Sequence, residues 1–272
     1  MSLAQPQSRK KPRLYLSGWF RFRIMSRYLA PYELSYLLLD VGGGNGNTSS
    51  HYVERFRTIV VLDIDRNALR KVRHPKMWAV AGDARHLPFK TGIFDRALSM
   101  DYQEHLEIAD IPIYLKELHR SLTDFAVLGI FTSCRGFTIR RWLYSIAGRL
   151  PKGDLDWSDW AKDGHRNRLT ASQHRDLVWE SGFRLDRWLF ASHFFDPLVR
   201  RFHLLAKYVA YRLLRIQEDP ESAEEVYRKS NSNVLVESYF WILRWVAYLD
   251  CVLFGRIPGG SVFMRLVKNE RR

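Results

Sequence analysis

The stretch Asp40-Val41-Gly42-Gly43-Gly44-Asn45-Gly46 has the residue types and spacing of a cofactor loop. Glycine allows a tight turn and lets a ligand approach main-chain atoms with no Cβ in the way. The run follows the apolar segment Tyr36–Val41, which places it on a turn leaving a strand, where nucleotide-type cofactors are held. Spacing then narrows the choice. A dinucleotide fingerprint is G-x-G-x-x-G, whereas these glycines fall as G-x-G-x-G after an aspartate. The phosphate-loop pattern G-x-x-x-x-G-K-[ST] is absent. No metal site is readable, because His174, His193 and His203 have no partners at ligand spacing and Cys134 and Cys251 form no cluster.

A loop of this kind needs a sheet to carry it. Apolar runs of strand length occur at Tyr36–Val41, Thr58–Asp63, Trp78–Ala81, Phe94–Ser99, Phe125–Phe131, Phe183–Ala191 and Ser261–Val267. Stretches of helical period alternate with them, at 48–56, 67–72 and 111–121. Thr170 to Gly182 forms a further helix with a Thr N-cap and a Gly stop. Continuous apolar strands separated by helices imply a mainly parallel sheet covered on both faces. Right-handed crossovers then make the expected fold a doubly wound, Rossmann-like α/β domain of seven strands.

The motif D-x-G-x-G-x-G resembles motif I of the class I S-adenosylmethionine-dependent methyltransferases, in particular the small-molecule and quinone-pathway type. The resemblance implies S-adenosylmethionine as cofactor, with Asp40, Gly42, Gly44 and Gly46 forming its loop. It assigns Asp63, ending Val-Val-Leu-Asp63, to the ribose hydroxyls, and Ile64 to packing on adenine. Asp65 is better read as a helix N-cap. Ala81-Gly-Asp83-Ala84 resembles the third motif, whose acid accepts from the adenine amino group. Ser99 and Asp101, at the exit of the fourth strand, would line the methionine end. Asp101-Tyr-Gln-Glu104-His105-Leu106 resembles the segment D-x-x-E-H-[LIV], which places Glu104 and His105 near the transferred methyl. His105 is then the candidate general base, needed only if the acceptor carries a proton that must leave. The competing reading is that the pair shapes the pocket by hydrogen bonding.

The acceptor is much less constrained. Net charge is +14 over 272 residues, which attracts polyanions such as nucleic acid or an anionic membrane. Residues 1–13 form a basic tail, expected to be flexible, with no apolar stretch of the kind a secretory signal needs. Residues 14–272 are expected to form one domain, with a cap helix at 14–30 and a helical insertion at 197–257. Within that insertion, 200–215 projects as a basic amphipathic helix suited to a membrane surface. The apolar segment 234–254 is interrupted by Glu237, Arg244 and Asp250, which argues against a membrane-spanning helix and leaves a lid over a greasy acceptor, an interfacial helix or a dimerising helix as its readings. The favoured function is methylation of a small or lipid-like acceptor by a cytoplasmic, peripherally membrane-bound protein. The alternatives are an RNA methyltransferase, suggested by basic residues interleaved with aromatics, and a non-catalytic cofactor-binding partner subunit.

Overall fold

The computed structural model describes residues 16–139, 164–195 and 234–268. The tail, the 200–215 helix and the rest of the expected insertion before residue 234 lie outside them. The strands are β1 (Leu37–Val41), β2 (Thr58–Asp63), β3 (Met77–Ala81), β4 (Phe94–Met100), β5 (Leu122–Ser133), β6 (Phe183–Ala191) and β7 (Ser261–Lys268). The helices are α1 (Leu16–Leu29), α2 (Arg66–Leu69), α3 (Ile111–Ser121), α4 (Ala171–Glu180) and α5 (Val234–Phe254). The strands join in one seven-stranded sheet of order β3-β2-β1-β4-β5-β7-β6. All neighbours are parallel except β7, which runs antiparallel to both β5 and β6. Strand order reverses between β1 and β4, and the carboxyl ends of those strands open the crevice where ligands of such sheets bind.

The local chemistry accounts for the elements that frame this crevice. In α3, Pro112 opens the first turn and Ile111, Tyr114, Leu115 and Leu118 recur at helical spacing, all buried against the sheet. Burying each such side chain contributes roughly 1.5–3 kcal/mol. α4 begins in a complete capping box, with the Thr170 side chain taking the Gln173 N–H and the Gln173 side chain returning to Thr170. Gly182, at φ 86°, ends its turn as expected.

The helix expected over 48–56 is much shorter, a 3-10 turn at Ser49–Tyr52. Ser, Asn and His compete with helical bonding by local contacts. Here the Ser50 hydroxyl donates to Asn47 O and the Asn45 side chain takes the Asn47 N–H. The helix expected over 67–72 is likewise trimmed to α2, with Asp65 as its N-cap, accepting from Asn67 N at 2.8 Å.

α1 lies across the sheet and buries Phe20, Ile24, Met25 and Leu29. It can come this close because β5 carries Gly129, where a Cβ would stand 2.3 Å from Met25 Sδ. Two arginines hold its end. Arg96 of β4 donates to the carbonyls of Leu29 and Pro31, and Arg265 of β7 to those of Tyr28 and Ala30. These are the carbonyls a helix end leaves unsatisfied, and the cations complement its dipole. α5 packs beside α1 through Trp245 and Tyr248 against Trp19. It is also tied to the residues after β6. Buried Asp250 accepts from the main-chain N–H groups of His193, Phe194 and Phe195 and from His193 Nδ1. His193 Nε2 faces the Ile257 carbonyl at 2.6 Å. Both ring nitrogens thus face acceptors, which fixes the ring between Asp250 and the Ile257 carbonyl.

Candidate functional site

The glycine loop leaves β1 at the crevice. Gly42 and Gly43 donate to Leu62 O, and Gly44 N donates to Asp63 Oδ2 at 2.8 Å, which fastens the loop to the end of β2. Gly42, Gly44 and Gly46 all have positive φ, at 69°, 54° and 73°. At Gly44 the only atom an added Cβ would approach is Asp63 Oδ2, 3.9 Å away. This glycine therefore combines a left-handed backbone with an open side beside a carboxylate.

The acids around the loop differ in environment. Asp40 is buried beneath it and accepts a short hydrogen bond from the Ser49 hydroxyl. Burial pushes its carboxyl up to about 7, against the opposing effect of the Ser49 hydrogen bond. Asp63 is partly exposed, and its second oxygen takes the Asp65 N–H at 2.8 Å. Each of its oxygens keeps one lone pair for a ligand. Beside it, Ile64 is 75% exposed. Asp83 is forked by Arg85, which also reaches Asp110 at 2.8 Å. The hydrogen bonds from Arg85 hold the Asp83 carboxyl below its usual range. Ala84 is buried behind it.

The exit of β4 supplies the other half of the crevice. Ser99 is buried next to the Tyr114 phenol. Asp101 adopts φ 51° and pairs with Arg21 of α1 at 2.6 Å, while the Arg21 guanidinium lies 4.1 Å from the Phe131 ring centre. The cap helix is thereby latched to the end of β4. Tyr102 follows and packs its ring against Gly42. Burial pushes its phenol up to about 12.

Glu104 and His105 diverge in character. Glu104 is buried, with Oε2 accepting from Thr132 Oγ1 at 2.7 Å. Burial, with Asp101 nearby, raises its carboxyl above the usual range. The Glu104 carbonyl also accepts from the main chain of Arg166 and Asn167. His105 is partly exposed, its ring 4.7 Å from that of His165. Its Nδ1 faces the Gly164 carbonyl at 3.2 Å. A carbonyl only accepts, so Nδ1 carries the hydrogen and the Nε2 lone pair is left to accept a proton.

This segment is fixed from behind. Asn167 donates to the carbonyls of Gln103 and Leu106, and the Gln103 side chain bonds His174 Nδ1. His174 Nε2 meets Ser133 O, and burial pulls the ring down to about 4, so His174 is a neutral strut. Among the described residues no group of three or more His, Cys, Asp or Glu side chains could hold a metal ion.

Tyr102, Arg21, Thr132, Asn167 and the Arg85–Asp110 pair were not singled out by motif. Only Arg21 had a signal, lying among the aromatics of the cap segment. The structure brings the loop glycines, Asp63, Ile64, Asp83, Ser99, Asp101, Glu104 and His105 to one end of the sheet, with Asp40 directly beneath the loop.

Residues 39–128 match the family model of a methyltransferase domain. Over those residues the chain carries a methyltransferase domain, and its fold is that of the class I S-adenosylmethionine-dependent enzymes.

Its fold recurs in solved structures of low sequence identity. One is geranyl diphosphate C-methyltransferase from Streptomyces coelicolor, at 10% identity, TM-score 0.57, covering 93% of this chain and 78% of that one. Another is phosphoethanolamine N-methyltransferase 2 of Haemonchus contortus with S-adenosylmethionine bound, at 16% identity and TM-score 0.58. That match covers 95% of this chain and 54% of the other. A third is the [4+2]-cyclase SpnF, at 15% identity and TM-score 0.57, covering 96% and 84%. No curated protein matches the sequence significantly. At these identities the likeness is one of fold, and the cyclase illustrates that one fold hosts several chemistries.

The residues present fit such a cofactor. An open glycine side, a carboxylate with two available lone pairs and an exposed apolar side chain stand together at the ends of β1 and β2.

Proposed function

We propose that the protein transfers a methyl group to a small or lipid-like acceptor whose reacting atom is a hydroxyl or amine. The cofactor supplies a sulfonium methyl for in-line displacement. The chain's own residues bind, orient and take the proton. Asp63 holds the ribose hydroxyls, Ile64 covers the adenine face, and Asp83 and Ala84 line the adenine edge. Gly42, Gly44 and Gly46 present main chain without side chains, and Asp40 supports that loop from below. Ser99 and Asp101 border the methionine end.

The single observation that carries the acceptor reading is the setting of His105. Gly164 O orients its Nδ1–H, which leaves the Nε2 lone pair of this partly exposed ring to act as a base. Positioned proton transfer of this kind typically contributes about 10²–10⁴ in rate. Glu104, buried and bound to Thr132, is better suited to shaping the floor. The α1 roof latched through Arg21 and Asp101 favours an acceptor that fits under a lid. Two of the 43 basic residues, Arg96 and Arg265, are engaged with the carbonyl end of α1, and Arg85 and Arg120 pair with carboxylates, so these four are not part of a free basic surface for RNA.

The test is transfer of labelled methyl from S-adenosylmethionine into separated lipid, small-molecule and RNA fractions. The reading requires label in the lipid or small-molecule fraction. Label confined to RNA overturns the acceptor class, and tight cofactor binding with no label in any fraction supports a non-catalytic subunit.

A further inference from the structure

We propose that the outward face of α5 docks on an anionic membrane surface. Between 238 and 257 the chain offers Trp241, Ile242, Leu249, Val252 and Leu253 to solvent, with Trp241 59% and Leu253 61% exposed. At 100° per residue these five occupy one continuous arc of about 120°. The opposite side of the helix, Ala247, Asp250 and Cys251, is fully buried. The apolar arc therefore points away from the core that holds the helix. Contiguous exposed apolar surface of this kind marks an interaction site.

Charge selects the occupant. The only carboxylate from 238 to 257 is Asp250, which is buried and paired with His193. The exposed charges beside the arc are cationic. Arg256 follows the helix, and Arg27 of α1 flanks it through a bond to the Tyr248 hydroxyl. An apolar arc carrying a tryptophan, edged by arginines and with no exposed carboxylate between 238 and 257, has the make-up of a helix lying in the plane of a bilayer interface. No helix among the described residues is long and apolar enough to cross a membrane, so the contact is lateral. The proposal concerns binding alone and stands whether or not the acceptor is a lipid.

The test is co-sedimentation of the full chain with phosphatidylcholine–phosphatidylglycerol vesicles and with pure phosphatidylcholine. The double variant Trp241→Ser, Leu253→Ser and the variant Arg256→Glu are run alongside. S-adenosylmethionine affinity serves as the folding control. Expected are binding to the anionic vesicles, at least about a tenfold weaker partition for each variant, and unchanged cofactor affinity. No vesicle binding by the wild-type chain overturns the proposal. So does equal binding to both vesicle types, or equal binding by the variants. Light scattering that shows a dimer, dispersed by the serine variant in a chain that ignores vesicles, assigns the face to a second copy and also overturns it.

Discussion

Asp63 carries the most demanding test of the cofactor site. Its two oxygens are already oriented, one by Gly44 N–H and the other by Asp65 N–H, both at 2.8 Å. In the proposed role each keeps a lone pair for one ribose hydroxyl. Hydrogen bonds to a charged acceptor contribute roughly 1.5–3 kcal/mol each, so losing two costs about 3–6 kcal/mol. At about 1.4 kcal/mol per factor of ten, Asp63→Ala should weaken S-adenosylmethionine binding by roughly 10²–10⁴. Asp63→Asn is the sharper variant. Both oxygens face N–H donors, so an amide must turn its NH₂ group towards one of them. Asparagine should therefore lose most of the same affinity despite its near-identical shape. Calorimetric titration measures both, with circular dichroism to confirm folding. Asp63→Asn binding within a few-fold of wild type would refute the assignment, because one acceptor would then suffice.

Four further outcomes follow from the same geometry. His105→Ala should leave cofactor affinity intact and lower turnover by about 10²–10⁴ in a labelled-methyl assay. Normal turnover would return the residue to a structural role. Asp40 keeps its proton in the folded state up to about 7, whereas the unfolded chain loses it near 4. Its favourable contribution is thus complete below about 4 and disappears as pH rises through 7. Asp40→Asn should then gain thermal midpoint over wild type at pH 8, by at least roughly 2–4 °C, with the gap closing at pH 5. A gap that does not change with pH would mean Asp40 is not protonated in the fold. Asp250 behaves oppositely, since its hydrogen bonds hold its carboxyl low, and it stabilises at neutral pH until acid titrates it. Asp250→Ala should cost at least about 1–3 kcal/mol in denaturant unfolding, for it strands the buried N–H groups that Asp250 accepts from His193, Phe194 and Phe195. An unfolding midpoint equal to wild type would refute that anchoring role. Arg21→Ala removes the latch to Asp101 and should raise the acceptor KM with little change in cofactor affinity, and an unchanged KM would detach α1 from acceptor binding.

What the sequence made legible divides along a physical line. Strand positions and the glycine loop were readable because they rest on short-range constraints. A buried parallel strand needs an unbroken apolar run, and a left-handed turn beside a ligand needs glycine. Asp65 and Thr170 were readable as caps for the same reason, since their partners lie two and three residues away. The helix expected at 48–56 failed where two local rules competed. Periodicity favoured a helix, and the Asn45, Asn47 and Ser50 contacts that shorten it are also local but leave no periodic trace. Of the residues that orient Glu104 and His105, only His165 drew notice in the sequence, as part of a segment where related enzymes place acceptor-facing groups. Thr132, Gly164, His165 and Asn167 lie 28 to 63 positions away in sequence and meet the pair only because β4, β5 and α4 converge at one end of the sheet. The basic excess shows the same limit at the scale of the whole chain. Read as composition, +14 suggests polyanions, yet Arg96 and Arg265 spend their charge on the carbonyl end of α1. Arg27 and Arg256 are exposed beside an apolar arc instead. A count of arginines cannot separate these uses. Their placement does, and under the proposed membrane docking it adds the outer face of α5 to the 200–215 segment as a site for polyanion contact.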